Sequence, residues 1–316
     1  MSDGTQRIME AQSTNAATAA PFPPVTLIIC SRNRPQLLWE SVESVLRGDQ
    51  VPSELIVMDQ SDEAHPILST LTQERGCQIR YERTRTMGEC PAKNMAIRLA
   101  RHNLLVFTDD DVIVLPDWFG TLVRALTDAG PRSVVTGQVR PGEAQTPNGF
   151  APTIMLDEAP AVYEGRPGED VLFPMNMAMY RLAFETVGLF DERLGAGGPF
   201  PGAEDNDFGL RLLEAGFRIV YVPQASLYHR AWRTAQDYLP LRWSYGFAQG
   251  AFYAKHLSFT DRYILRRMRA DVWRHIYRLV RYPLVRSRRQ TAADGLYVLG
   301  VLSGAAKWLI TQRRIG

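Results

Sequence analysis

Three consecutive carboxylates, Asp109-Asp110-Asp111, close the apolar run Leu104-Leu105-Val106-Phe107, where a buried strand emerges from a sheet. So much negative charge at one point is unfavourable unless a cation offsets it. Two carboxylates one residue apart, Asp109 and Asp111, suit a hard divalent ion, which takes oxygen ligands and leaves room for the phosphates of a substrate. A metal-diphosphate site is the first expectation; the plain alternative is a solvated acidic turn helped by Asp117 after Pro116. A second acidic group, Glu204-Asp205-Asn206-Asp207, precedes a helical run from Phe208 to Ala215 and is partly explained as an N-terminal capping box. His229 follows the expected strand Arg218 to Val222, as a structural histidine or a ligand.

These groups need a scaffold that converges on them. From Pro24 onward, short apolar runs alternate with helix-length amphipathic stretches, the pattern of an α/β domain with a largely parallel sheet. Strands are expected at Val25 to Cys30, Glu54 to Met58, Ile79 to Arg83 and Leu104 to Phe107, and past Ser133 to Gln138 the texture changes. Helices are expected at Gln36 to Arg47, Ala64 to Arg75, Ala92 to Ala100, Trp118 to Asp128 and Arg181 to Val187, with Pro- and Gly-rich active-site loops from Pro141 to Pro174. Ligands of open α/β sheets bind outside the carboxyl ends of the strands. After the first strand stands Ser31-Arg32-Asn33-Arg34-Pro35, which has no Gly-x-Gly-x-x-Gly and argues against a dinucleotide cofactor and a P-loop. After the second stands Asp59-Gln60-Ser61-Asp62, whose carboxylate can accept hydrogen bonds from a base or ribose; Gly88 to Asn94 is a turn into a helix whose amino end and Lys93 can meet phosphate.

Together and in this order the segments resemble the inverting glycosyltransferases of family 2, which have the GT-A fold. In that family the first strand ends in a Thr/Ser-x-Asn-Arg-like loop and the second in an acidic loop that reads the nucleotide base. A Gly-x-x-x-Ala-Arg-Asn helix start comes next, and a later strand ends in Asp-x-Asp. Lys93 stands where arginine is usual, keeping the charge and losing the bidentate fork. The resemblance runs from Pro24 to Arg233, about two-thirds of the chain. It implies that Asp109, Asp111 and His229 hold Mn²⁺ or Mg²⁺, and that Ser31, Asn33, Arg34, Asp59, Gly88, Lys93, Asp109 and Asp110 bind a nucleotide-diphospho-sugar. Asp205, with Glu204 beside it, becomes the general base for an acceptor hydroxyl, the one group that inversion requires. Arg230 or Arg233 then contacts the leaving diphosphate.

The 316 residues, 45% hydrophobic, suffice for a substantial core. Residues 1–21 are expected to be a disordered tail, 22–235 the GT-A domain and 236–316 a helical extension. The net charge of +2 hides an asymmetry: residues 262–289 carry ten arginines against Asp271 alone. From Leu265 apolar residues recur at helical spacing, with Trp273 and Tyr277 at the boundary, so this helix can lie on an anionic membrane or pack on the domain. Gly295 to Ile310 is apolar for about 16 residues and reads as monotopic or packed, not transmembrane. Cys30, Cys77 and Cys90 show no metal-ligand pairing and are expected to be inert thiols of a reduced, cytosolic setting.

The expected activity is metal-dependent, inverting hexosyl transfer from a nucleotide sugar to a glycan or lipid-linked acceptor, in cell-envelope polysaccharide biosynthesis at the inner face of the plasma membrane. Nucleic acid is not an expected partner. The alternatives are a transferase-like binding or scaffold protein without turnover, and a nucleotidyltransferase, which would carry a Gly-rich phosphate loop after the first strand.

Overall fold

The computed structural model describes residues 22–143, 149–258, 260–281 and 287–312; the expected N-terminal tail and Arg286 lie outside them. Buried apolar runs build the first half of one sheet: β1 (Val25–Ser31), β2 (Glu54–Asp59), the short β3 (Gln73–Glu74) with β4 (Cys77–Arg83), and β5 (Leu104–Asp109). β1 lies parallel to both β2 and β5, and β2 parallel to β4. The register sets Ser31 opposite Asp59 and Cys30 opposite Asp109, so the three loops singled out in the sequence leave the sheet side by side.

The second half comprises β6 (Val112–Val114), β7 (Ser133–Pro141), β8 (Ala161–Tyr163), β9 (Asn176–Tyr180) and β10 (Arg218–His229). The strand order is β3-β4-β2-β1-β5-β9-β7-β10-β6, with β8 paired to β10. β9 runs antiparallel between β5 and β7 and joins the halves. Its buried Asn176 accepts from Trp118 Nε1 at 2.8 Å and donates to the carbonyls of Gln138 and Ala225 at 3.0 and 2.8 Å. A polar side chain is tolerated there because each of these atoms has a partner.

Five helices flank the sheet. Pro35 opens α1 (Pro35–Leu46), and α3 (Trp118–Ala129) buries Leu122, Val123 and Leu126 beside α1 residues Leu38, Val42 and Val45 on one face. α2 (Glu89–Leu99), α4 (Leu182–Val187) and α5 (Glu204–Glu214) cover the other, around Phe107, Phe184, Phe190 and Phe208.

One expected helix is absent. Residues 64–75 form turns and then β3, because the His65 ring nitrogen Nδ1 accepts from the backbone N–H groups of Ile67 and Leu68, both at 3.2 Å, while Ser69, Thr70 and Thr72 favour turns over helix. Arg75 and Gly76 then take left-handed φ of 50° and 82° and close a β3–β4 hairpin.

Beyond β10 lie α6 (Tyr238–His256), α7 (Tyr263–Arg281) and α8 (Arg288–Gln312). α8 extends beyond the apolar stretch Gly295 to Ile310 at both ends. It spans 25 residues, and Arg288–Thr311 is long and apolar enough to cross a membrane by length and composition, while its inner face packs on α6. Gly246 and Gly250 on α6 meet Gly300 and Gly304 on α8. A Cβ at any of the four would fall under 3.0 Å from a carbonyl oxygen of the facing helix. Only glycine permits this approach, and the small-xxx-small spacing repeats it on both helices.

Candidate active site

The acidic triplet divides its work by direction. Asp110 points back toward the loop after β1, accepting from Ser31 Oγ at 2.7 Å and from Arg34 Nη1 at 3.1 Å; Arg34 also reaches Asp111 at 3.2 Å. Asp111 faces His229, whose Nε2 lies 3.2 Å from Asp111 Oδ1. The ligand atoms of Asp109, Asp111 and His229 all lie within 4.8 Å of one another. His229 Nδ1 lies 3.3 Å from the Thr153 carbonyl, an arrangement that keeps a proton on Nδ1 and turns the Nε2 lone pair toward the carboxylates. Two carboxylate oxygens and an imidazole nitrogen fit Mn²⁺ or Mg²⁺, the metals whose hard character matches this donor set.

Burial raises the Asp109 carboxyl to about 7, with Lys93 opposing the shift and Glu89 and Asp111 adding to it. Burial and the charge of Asp111 raise Asp110 to about 6. Burial works against Asp111 too, yet the hydrogen bond and charge of His229, with Arg34, hold it below the ordinary carboxylate range. Burial disfavours the His229 cation, and the Asp111 hydrogen bond overrides it and raises that ring.

Two clefts meet over this cluster. One, about 400 Å³, is lined by Ser31, Arg32, Arg34, Gly88, the acidic triplet, His229 and Arg233. The other, about 450 Å³, is lined by Glu204, Asp205, Arg242, Tyr245, Gln249 and Tyr297. Glu89, Asp109, Thr153 and Tyr245 border both. Asp205 thus sits next to the metal-ligand cluster but in a separate chamber. Ala203, just before α5, has a φ of 63° that is strained for alanine, and no side chain caps this helix end. The acid cluster is therefore not the capping box that would have explained it plainly. Asp205 Oδ1 accepts only from its neighbour Asn206 N among the described hydrogen bonds, at 2.9 Å. Burial, with the charge of Asp170, pushes its carboxyl to about 7.

Other acids nearby are paired or have their charged form disfavoured by burial. Glu204 Oε2 is buried without a hydrogen-bond partner, and burial beside Glu89 raises the Glu204 carboxyl well above its ordinary value. Asp191 is held below the usual range despite its burial by Arg193 and Lys255. Asp207, fully buried, bonds His256 at 2.7 Å, Lys255 at 2.6 Å and Arg211 at 2.9 Å, which ties α5 to the end of α6.

Several residues singled out in the sequence lie elsewhere than expected. Lys93 is buried and ion-paired with Glu89, 3.9 Å from Asp109, so it supports the acidic floor instead of facing the cleft. Asp59 is buried too, hydrogen-bonded to the Tyr81 hydroxyl and, at 2.9 Å, to Ser61 N. Asn33, at φ 54°, locks its loop to the next through Ser61 and Asp62 at 2.7 and 3.0 Å. Arg230 is taken by Glu40 and the Leu37 carbonyl, which leaves Arg233 on the cleft wall. Gly88, at φ 102°, starts α2 where the Gly197 loop crosses close by. The three cysteines are free, and burial raises each thiol well above its ordinary value. Sequence reading missed Glu89, Arg242, Tyr245 and Tyr297; the last three come from the C-terminal helices, where no motif marks them.

The family profile described as Glycosyl transferase family 2 matches residues 26–188, just over half of the chain, and takes in β1 through β9. The chain belongs to glycosyl transferase family 2. Among curated relatives of this family 2 chain, the Pre-mycofactocin glycosyltransferase of Mycobacterium tuberculosis is 28% identical over 258 residues, 77% of this chain and 52% of that protein. The chain therefore spans about half the length of the curated relatives it matches. Solved structures share the GT-A fold at low identity. The mannosyltransferase PcManGT from Pyrobaculum calidifontis, in complex with GDP-Man and Mn²⁺, superposes with a TM-score of 0.57 at 17% identity, over 98% of this chain and 86% of its own. Residues 1–349 of TarS from S. aureus give 0.56 at 13%, over 90% and 83%.

Proposed function

We propose that this chain transfers a sugar from a nucleotide-diphosphate donor to an acceptor hydroxyl, with inversion at the anomeric carbon. The observation that carries the reading is the pair of clefts meeting at Asp109 and Glu89, with a metal-ligand cluster in one and a single free, near-neutral carboxylate, Asp205, in the other. The donor diphosphate lies in the first cleft, where Arg233 and the Ser31–Arg34 loop are placed to meet phosphate and ribose. Mn²⁺ or Mg²⁺ bound by Asp109, Asp111 and His229 would neutralise the charge that develops on the leaving diphosphate. The acceptor occupies the second cleft with its hydroxyl against Asp205, which takes the proton as the oxygen attacks. A retaining route through a covalent intermediate would need a second carboxylate as nucleophile; burial beside Glu89 disfavours the charged form of Glu204, and Glu89 is ion-paired to Lys93. Support from relatives is in kind: PcManGT and GalNAc-T7 are described with a nucleotide or nucleotide sugar and Mn²⁺.

A panel of nucleotide sugars assayed for hydrolysis and transfer with and without Mn²⁺ tests the reading. Metal-dependent release of nucleoside diphosphate supports it. Binding without turnover favours a scaffold protein, and release of sugar 1-phosphate favours a nucleotidyltransferase.

A second reading concerns the outer helices. Leu299, Leu302, Leu309 and Ile310 of α8 are 47–57% exposed, and Trp273 and Val280 of α7 are 65% and 75% exposed. An apolar groove of about 720 Å³ between the two helices is flanked by Arg266 and Arg269. We propose that this face rests on an anionic membrane, at the cytoplasmic side, and that the acceptor is a glycan or lipid-linked precursor reached from there.

A further inference from the structure

Arg242 lies on α6 and lines the cleft that holds Asp205, on the wall built by the C-terminal helices. Its guanidinium sits 4.7 Å from the centroid of Tyr297 and 3.5 Å from His275 Nε2. Among the described residues no carboxylate lies within 4.0 Å of it, whereas Arg211, Arg230 and Arg267 are paired with Asp207, Glu40 and Asp170. Behind it, His275 Nδ1 bonds Asp294 Oδ1 at 2.6 Å, which places the proton on Nδ1 and points the Nε2 lone pair at Arg242. The side chain is thus held by a ring face and a histidine nitrogen, with the rest of its planar fork left for something else.

The rest of the chamber is acidic. Glu89, Asp109 and Asp205 line its inner wall, and Lys93, the nearby cation, is buried against Glu89. An anionic ligand would be repelled from that wall and drawn to the opposite one, which fixes its orientation before any hydrogen bond forms.

Building on the glycosyl-transfer reading, we propose that Arg242 is the anion-reading residue of the acceptor subsite, so that the acceptor carries a phosphate or carboxylate on the far side of the ring that bears its reacting hydroxyl. The anion meets the guanidinium fork, the ring lies along Tyr245 and Tyr297, and the hydroxyl is presented to Asp205.

The test measures binding of octyl glucoside, octyl glucuronide and glucose 6-phosphate to the full chain by saturation-transfer NMR and calorimetry. Wild type, Arg242→Gln, Arg242→Lys and Arg233→Gln are compared, with thermal midpoints as the check on folding. Wild type is expected to bind at least one anionic probe about tenfold more tightly than the neutral glucoside. Arg242→Gln should lose that preference, Arg242→Lys keep part of it, and Arg233→Gln, altered in the other cleft, keep all of it. The glucuronide and the sugar phosphate separate carboxylate from phosphate. Equal binding of neutral and anionic probes by wild type, an intact preference in Arg242→Gln, or an equal loss in Arg233→Gln would overturn the proposal. Failure of the glycosyl-transfer reading shows differently, as absent donor turnover in wild type with the anion preference intact.

Discussion

Replacing Asp205 with Asn keeps the shape of the side chain at the head of α5 and removes its capacity to take a proton. The carboxyl it replaces ionises near 7 because burial and Asp170 disfavour its charge. A base acts when deprotonated, so activity in the wild type should rise with pH. With ionisation of about 10% at pH 6 and about 90% at pH 8, kcat/KM should climb roughly tenfold across that interval. Loss of a general base costs about 10² to 10⁴ in rate, equivalent to roughly 3 to 5 kcal/mol of barrier. Nucleotide binding in the neighbouring cleft should survive, since Asp205 does not line it. The assay is steady-state transfer across pH 5.5 to about 8.5 for both proteins, beside calorimetric binding of the nucleoside diphosphate. Near-normal turnover in Asp205→Asn, or a wild-type profile flat through pH 7, would refute the reasoning and return Asp205 to a structural role.

Asp109→Asn and Asp111→Asn should each weaken binding of UDP, dTDP or GDP by calorimetry in Mn²⁺ and leave binding in EDTA little changed; equal wild-type affinity in Mn²⁺ and EDTA would sink the metal assignment. Gly250→Ala should lower stability by about 1 to 3 kcal/mol, read from thermal or urea unfolding, because its Cβ would press on the Val301 carbonyl. The full chain should co-sediment with anionic vesicles at low salt and partly release at high salt, and Leu302→Glu should weaken this; indifference to anionic vesicles would assign the arginines to solvent.

The catalytic half of the fold was legible because its signals are local. Buried parallel strands read as continuous apolar runs, and the loops that follow them carry Ser31, Asp59 and Asp109 in chain order. What the sequence left open was decided by contacts distant in sequence. Lys93, read as a phosphate ligand, packs inside against Glu89, and Asp59, read as a base reader, accepts from the Tyr81 hydroxyl that reaches it from β4. Residues 64–75 have helical spacing, but an imidazole acting on its own backbone ends the contest in favour of turns. β9 escaped notice because its five residues follow a Pro- and Gly-rich stretch, and its polar first residue, Asn176, is satisfied only by three other segments. The second cleft was least legible, since Arg242, Tyr245 and Tyr297 acquire meaning only when α6 and α8 fold against α5.

The glycine seam between α6 and α8 leaves almost no clearance for the two helices to slide or tilt separately. They form a stiff double rod. One side of that rod carries Tyr245 and Tyr297 into the Asp205 chamber, and the other presents Leu299 and Leu302 to the exterior. The seam joins the outer face to the chamber wall by close backbone packing, and Asp207 ties the end of α6 to α5 through Arg211, Lys255 and His256. A partner pressing on the outer face would thus act on the gap between Arg242 and the Asp205 carboxylate.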